Sequence, residues 1–262
     1  MIDDKISRVE EALRNRYSLV LRPANIPTIS TCRFCHGPVG TDVLGMEYVL
    51  CPTCNKHSSK GISYIDTLGI CTYAIDDRQM LKYMYDYKDP TRPNQDIIQG
   101  IVGSLLAVNL YRHITKFEML NGPFSNWTIV PSSKNPLHSQ STTHPLFYFA
   151  DYVLKHFPHI VHLPITVNPG SPSIRDFQAD LFKIDTVWDN APDHVLLIED
   201  TWVSGSKAQS AAYQLKAHGA SRVIALAVAR KIKPNFLNSN DIISNFERPS
   251  NVFNPAISPW NI

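Results

Sequence analysis

The stretch H-V-L-L-I-E-D-T-W-V-S-G-S-K-A-Q-S-A-A, residues 194 to 212, decides the fold. Its first part, Val195 to Ile198, is an unbroken apolar run of the kind a strand needs when both of its faces are buried. Glu199 and Asp200 end the run, and Thr201 to Ser206 supply the residue types of a turn. A helix is predicted from about 206 to 218, ended by Gly219. R-V-I-A-L-A-V-A, 222 to 229, then reads as a second buried strand. Strand, loop, helix and strand in this order make one unit of a parallel sheet.

In such sheets ligands bind where strands end and helices begin, because helix N-termini offer unpaired N–H groups. Gly205 permits close backbone approach to an anion, and Ser204 and Ser206 add hydroxyl donors. Lys207 lies in the first helical turn, where a cation opposes the helix dipole unless an anion is near. Glu199 and Asp200 stand just before the loop, suited to accept hydrogen bonds from sugar hydroxyls or to hold hydrated magnesium. The simpler reading is an acidic turn with helix-capping serines.

Working outward, I-S-Y-I (62 to 65) and I-C-T-Y-A-I (70 to 75) read as strand, and 76 to 87 as helix. A long helix is predicted near 94 to 120, a strand at 127 to 130, a helix near 145 to 157 and a strand at 162 to 167. This alternation predicts an α/β fold, a largely parallel sheet with helices on both faces. Ile6, Val9, Leu13 and Tyr17 place a short amphipathic helix over 3 to 17. After Ala229 the chain turns Asn- and Pro-rich, with Phe236, Phe246, Phe253 and Trp260 widely spaced, which reads as a surface wrap or a disordered tail.

Charge gives little guidance toward a partner, since 25 Lys and Arg against 23 Asp and Glu leave a net charge of +2. The N-terminus lacks the apolar run of a secretory signal, and the apolar stretch 97 to 110 is too short and too interrupted to span a membrane. A cytoplasmic protein is expected. Four of the five cysteines fall in two pairs, Cys32-x-x-Cys35 and Cys51-x-x-Cys54, fifteen residues apart. Each pair puts two thiolates on one tight turn, and two turns complete a tetrahedron around zinc. A redox dithiol is the rival reading. Gly37, Pro38 and Pro52, with no local apolar pattern, favour a small zinc ribbon or knuckle module whose closed site is structural, leaving His36 and His57 outside the ligand set. Cys71 is expected to be a small buried apolar residue in a strand.

The acidic pair and its Ser-Gly loop resemble the phosphoribosyl pyrophosphate signature of type I phosphoribosyltransferases. That resemblance implies that Glu199 and Asp200 meet the ribose hydroxyls and act in catalysis. It also implies that Thr201, Val203, Ser204, Gly205, Ser206 and Lys207 wrap the 5′-phosphate, with magnesium on the pyrophosphate. Lys207 and Val203 depart from the residues usual there. Together with the four-cysteine module, the chain resembles the ComF-type family, bacterial proteins associated with DNA uptake. The likeness includes D-Y-K-D (86 to 89), I-V-P-S-S-K (129 to 134) and R-D-F-Q-A-D-L-F (175 to 182). In that family I-V-P-S-S-K occupies the place of the pyrophosphate loop, which suggests roles for Ser132, Ser133 and Lys134. The arginine-rich segment expected after that loop is absent from 135 to 146, and Arg175 is a candidate to replace its charge. Polar residues 135 to 143 read as a structureless lid.

The implied organisation is an N-terminal helix and linker (1–27), the zinc module (28–60), a type I phosphoribosyltransferase-like domain (61–233) and a C-terminal tail (234–262). Three functions follow: a phosphoribosyltransferase acting on a nitrogen nucleophile; a silent regulator binding phosphoribosyl pyrophosphate or a related sugar phosphate; and a DNA-uptake accessory. In the last, the zinc module makes weak nucleic-acid or protein contacts through Phe34, Arg33, Lys56 and Lys60.

Overall fold

The computed structural model describes residues 2–24, 31–171, 176–184 and 193–260. Arg175, the first residue of R-D-F-Q-A-D-L-F, therefore lies outside the described residues. Five strands form one fully parallel sheet: β1 (Thr67–Ile75), β2 (Asn126–Ile129), β3 (Val161–His162), β6 (His194–Trp202) and β7 (Arg222–Ile232). Their spatial order is β1-β7-β6-β2-β3. The two strands with the longest apolar runs, β6 and β7, are interior, as their composition requires. A separate antiparallel pair joins β4 (Thr166–Val167) to β5 (Phe182–Lys183).

Period-two alternation sorts each strand between two cores. Leu196, Ile198, Ile224, Leu226 and Val228 face one side, packed by α1 (Ile2–Tyr17), α3 (Gln79–Asp86), α4 (Gln95–Asn121) and α5 (Phe147–Leu154). Val195, Leu197, Val223, Ala225 and Ala227 face the other, against α6 (Ser206–Ala217), the cysteine module and Ile242 and Phe246 of α7 (Ser239–Phe246). The expected parallel sheet covered on both faces is present. Cys71 is buried in β1, and α4, though long and apolar, has 61% of its most apolar window buried inside the molecule.

Three sequence expectations fail locally. Residues 62 to 65 are not a strand: the backbone N–H groups of Tyr64 and Ile65 donate to the Gln209 side chain at 2.8 and 3.2 Å, replacing a ladder. The predicted strand 162 to 167 is broken between β3 and β4, which belong to different sheets, and Pro164 in the gap has no N–H to continue a ladder. Residues 135 to 143 are not structureless but form two 3-10 turns, Pro136–His138 and Ser141–Thr143. These are held down by Ser132 N to His138 O at 2.8 Å, Ser141 N to Ile165 O at 2.9 Å and Val167 N to Ser139 O at 2.8 Å.

The tail is ordered cover. Phe253 and Trp260 enter the α4 face, and the Trp260 indole N–H donates to Ala225 O at 3.0 Å. Gly69 lies directly beneath that ring, where a Cβ would stand 2.6 Å from the indole. Only a glycine lets the tail reach the sheet there.

Candidate functional site

The chain leaves β2 toward β3 and leaves β6 toward β7, in opposite directions along the sheet. The crevice between the adjacent β2 and β6 is therefore a topological switch point, the place where loops part and a ligand has room. The segment after β2 carries Ser132, Ser133 and Lys134, and that after β6 carries Val203 to Ser206. Strand β6 runs further than its sequence suggests. Thr201 pairs with Ala229 and Trp202 with Arg230, so the turn is only 203 to 205.

Glu199 and Asp200 lie in this last part of β6. Asp200 Oδ2 accepts the Tyr87 hydroxyl at 3.0 Å and pairs with the Lys88 ammonium, while Oδ1 accepts Thr201 N at 2.6 Å. Burial pushes Asp200 up, but Lys88 and the hydrogen bonds outweigh it and hold the carboxyl well below its ordinary value. Glu199 goes the other way. Burial first, and then the Asp200 charge, push it far above the carboxylate range, and its Oε2 is buried without a hydrogen-bond partner. Burial thus favours the protonated form of Glu199 while Lys88 favours the carboxylate of Asp200, the arrangement adjacent acids adopt when only one charge is compensated.

Around the pair stand Tyr87 and His144, to which the sequence reading gave no role, and Lys207, which it singled out. Tyr87 is fully buried, and its hydroxyl stays protonated because burial and then Asp200 oppose ionisation. His144 is buried too, its pKa pushed down to about 3 by burial and then by Lys88. Its Nδ1 accepts Leu146 N at 3.2 Å, which assigns the proton of this neutral ring to Nε2. Lys207 is half-buried; burial lowers its pKa, while Glu199 and Asp200 oppose that and Lys134 and Lys88 add to it. Two lysines from two segments, Lys88 and Lys207, therefore act electrostatically on one acidic pair, and Lys134 acts on Lys207. Tyr87 and Lys88 lie in the D-Y-K-D stretch, a polar cluster closing an apolar helix, which was the available signal; their contact with Asp200 spans more than a hundred residues and has no local signature.

The 203 to 206 loop is mostly self-satisfied. Ser204 Oγ donates to Ser206 Oγ at 3.1 Å and accepts Ser206 N at 3.3 Å. Gly205 is left-handed at φ 77°, and a Cβ there would meet the Trp202 ring at 2.1 Å. Glycine is required by that indole as well as by the turn. Val203 turns its side chain to solvent. In the other loop, Ser132 is spent internally, its Oγ accepting Asn135 N at 3.2 Å, whereas Ser133 Oγ is buried and unpartnered and Lys134 is exposed.

The four sulfurs of Cys32, Cys35, Cys51 and Cys54 all lie within 4.8 Å of one another and are buried. A tetrahedron with metal–sulfur bonds of about 2.3 Å has edges of roughly 3.8 Å. Cys35 Sγ to Cys51 Sγ, at 3.6 Å, matches that edge. The thiols are thus placed to hold one structural zinc ion. Cys51 also caps α2 (Pro52–Ser59), its sulfur accepting Cys54 N at 3.5 Å. His36 and His57 stay outside the cluster, as expected, but neither is idle: His36 Nδ1 lies 3.4 Å from Ala24 O, and buried His57 has its Nε2 3.4 Å from Ser206 Oγ at the start of α6. No protein-family model matches this chain, and no curated protein is significantly similar to it.

Proposed function

We propose that this protein binds phosphoribosyl pyrophosphate with magnesium in the crevice between β2 and β6 and transfers the phosphoribosyl group to a nitrogen nucleophile. The observation that carries this reading is the Glu199–Asp200 pair at a parallel-sheet switch point, with an unpartnered Glu199 oxygen, Lys88 and Lys207 acting on the pair, and Lys134 acting on Lys207. A polyanion with vicinal hydroxyls complements such a set, because it gives the orphaned carboxyl oxygen a donor and the lysines counter-charges. The type I phosphoribosyltransferase fold and the ComF-type resemblance belong to the same proposal.

In this reading the 203 to 207 turn and the N-terminus of α6 take the 5′-phosphate, and Ser133 and Lys134 take the pyrophosphate side. Glu199 and Asp200 hold the ribose hydroxyls and stabilise the positive charge that develops on the sugar as pyrophosphate leaves. Lys88 releases Asp200 when the hydroxyls arrive and turns to the departing anion. Magnesium would neutralise the pyrophosphate, and Asp200 is the carboxylate that would hold it.

Calorimetric titration with phosphoribosyl pyrophosphate and magnesium tests the pocket. Wild type should give a single-site heat, and Asp200→Asn should weaken binding by about ten- to a hundredfold, the worth of a charged hydrogen bond. Absence of heat in wild type, or equal binding by the variant, overturns the reading. A second reading, binding without turnover, is favoured by 135 to 146, which holds no arginine and is pinned by backbone bonds where a mobile lid was expected. Pyrophosphate release with ammonia, glutamine or free bases separates the two.

A further inference from the structure

The anion loop is gripped from behind by the cysteine module, and one buried cation does most of the gripping. Arg230 follows the apolar run of β7 and is buried. Its Nε donates to Cys35 O at 3.0 Å, and its Nη1 donates to the carbonyls of Trp202 at 3.0 Å, Val203 at 2.9 Å and Lys231 at 2.7 Å. Nη2 faces Cys35 Sγ at 3.6 Å. Among the described residues no carboxylate pairs with this guanidinium. A buried charge without an opposite one is strongly disfavoured. Four thiolates around a divalent ion would carry two net negative charges, and Arg230 lies against one of those sulfurs, Cys35 Sγ.

The fit is close. A Cβ on Gly37 would lie 2.2 Å from Arg230 Nη2, so the cysteine turn is cut back to let the guanidinium in. Two further contacts run from the module to the same loop: the Phe34 ring meets Trp202 edge-on at 6.0 Å, and His57 reaches Ser206 Oγ. Trp202 in turn packs against Gly205. The backbone carbonyls that open the loop, the ring beneath its glycine and the first hydroxyl of α6 are all held from the metal side.

We propose that Arg230 is the counter-cation of the four-thiolate metal centre and the clamp that shapes the 202 to 206 loop, so that metal occupancy decides whether the loop is ordered to receive an anion. Arg230 is a positioning residue, since it reaches the loop through backbone carbonyls. The proposal rests on reading this loop as the anion site, but its order is measurable without any ligand.

Hydrogen–deuterium exchange of the full chain, with zinc content measured in parallel, provides the test. Chelating the metal should speed exchange of 203 to 210 by about tenfold or more while leaving 195 to 198 and 101 to 110 protected. Gly37→Ala and Arg230→Met should reproduce this with about one zinc per chain retained, and Arg230→Lys should restore part of the protection. Unchanged loop protection in Gly37→Ala with zinc bound overturns the proposal, as does a metal-free protein with a protected loop. Protection lost evenly across the sheet also overturns it, because the metal would then serve global stability alone. If Arg230→Met does not fold, Gly37→Ala and the metal titration decide. Should wild type give no heat with phosphoribosyl pyrophosphate, the substrate falls while the loop result stands by itself.

Discussion

At Glu199 and Asp200 two neighbouring carboxyls are driven in opposite directions, and the consequence is measurable without a ligand. Glu199 is raised in the folded state, so its contribution to stability is present below its unfolded value of 4.5 and is lost as pH rises through the folded value. The histidines oppose it: burial holds His113 below its ordinary value, His162 at about 4 and His144 at about 3. Their contribution is lost as pH falls from 6.5. For His144 alone the loss reaches on the order of 2 kcal/mol by pH 5. Between pH 4.5 and 6.5 Glu199 therefore offsets one histidine's worth of slope. Glu199→Gln should steepen the acid loss, by on the order of 1 kcal/mol per pH unit in urea melts across that window, and should stabilise the ligand-free protein at pH 8. An unchanged slope would mean that Glu199 is ionised in the empty site.

Among the elements, β6 and α6 are legible in the sequence, because an unbroken apolar run, a glycine turn and a terminal Gly219 all lie within 26 residues, although the strand continues past the acidic pair to Trp202. Less was legible where an element depends on a distant donor. Residues 62 to 65 have strand-like composition but give their N–H groups to Gln209, and 162 to 167 alternates well yet is broken at Pro164. The same distinction divides the site: Glu199, Asp200 and the serines are contiguous, whereas Tyr87, Lys88, His144 and Arg230 arrive from elsewhere in the chain. Within the turn, Gly205 is the most constrained position. Gly205→Ala forces a Cβ into Trp202 and keeps a left-handed backbone, so it should cost roughly 2 to 4 kcal/mol in denaturant unfolding. A loss under 0.5 kcal/mol would show that the turn relaxes away from the indole.

Across the whole molecule, the two cores are closed by parts with little apolar periodicity of their own. The cysteine module completes the α6 face, and Phe253 and Trp260 complete the α4 face. Sparse aromatics in a polar tail carry no helical or strand period, which is why the tail could not be assigned to the core from sequence. Trp260 meets Phe117 at 4.9 Å between ring centroids and donates to β7. Trp260→Ala should therefore destabilise by about 3 to 5 kcal/mol, as large buried-aromatic truncations do, with the metal site intact. Calorimetric unfolding of the zinc-loaded variant checks this; a wild-type melting temperature would place the tail outside the cooperative unit.

The bond from Trp260 to a strand that itself pairs with β1 also sets a timetable. Thr67 on β1 waits for Ile224, and Gly69 waits longer for the indole that covers it. While the chain is being translated, β1 and the apolar side of α4 leave the ribosome well before either closing partner has been made. A nascent chain stalled near residue 220 would display a greasy, half-built sheet, a target for holding chaperones and for aggregation, and Trp260 acts as the closing stitch.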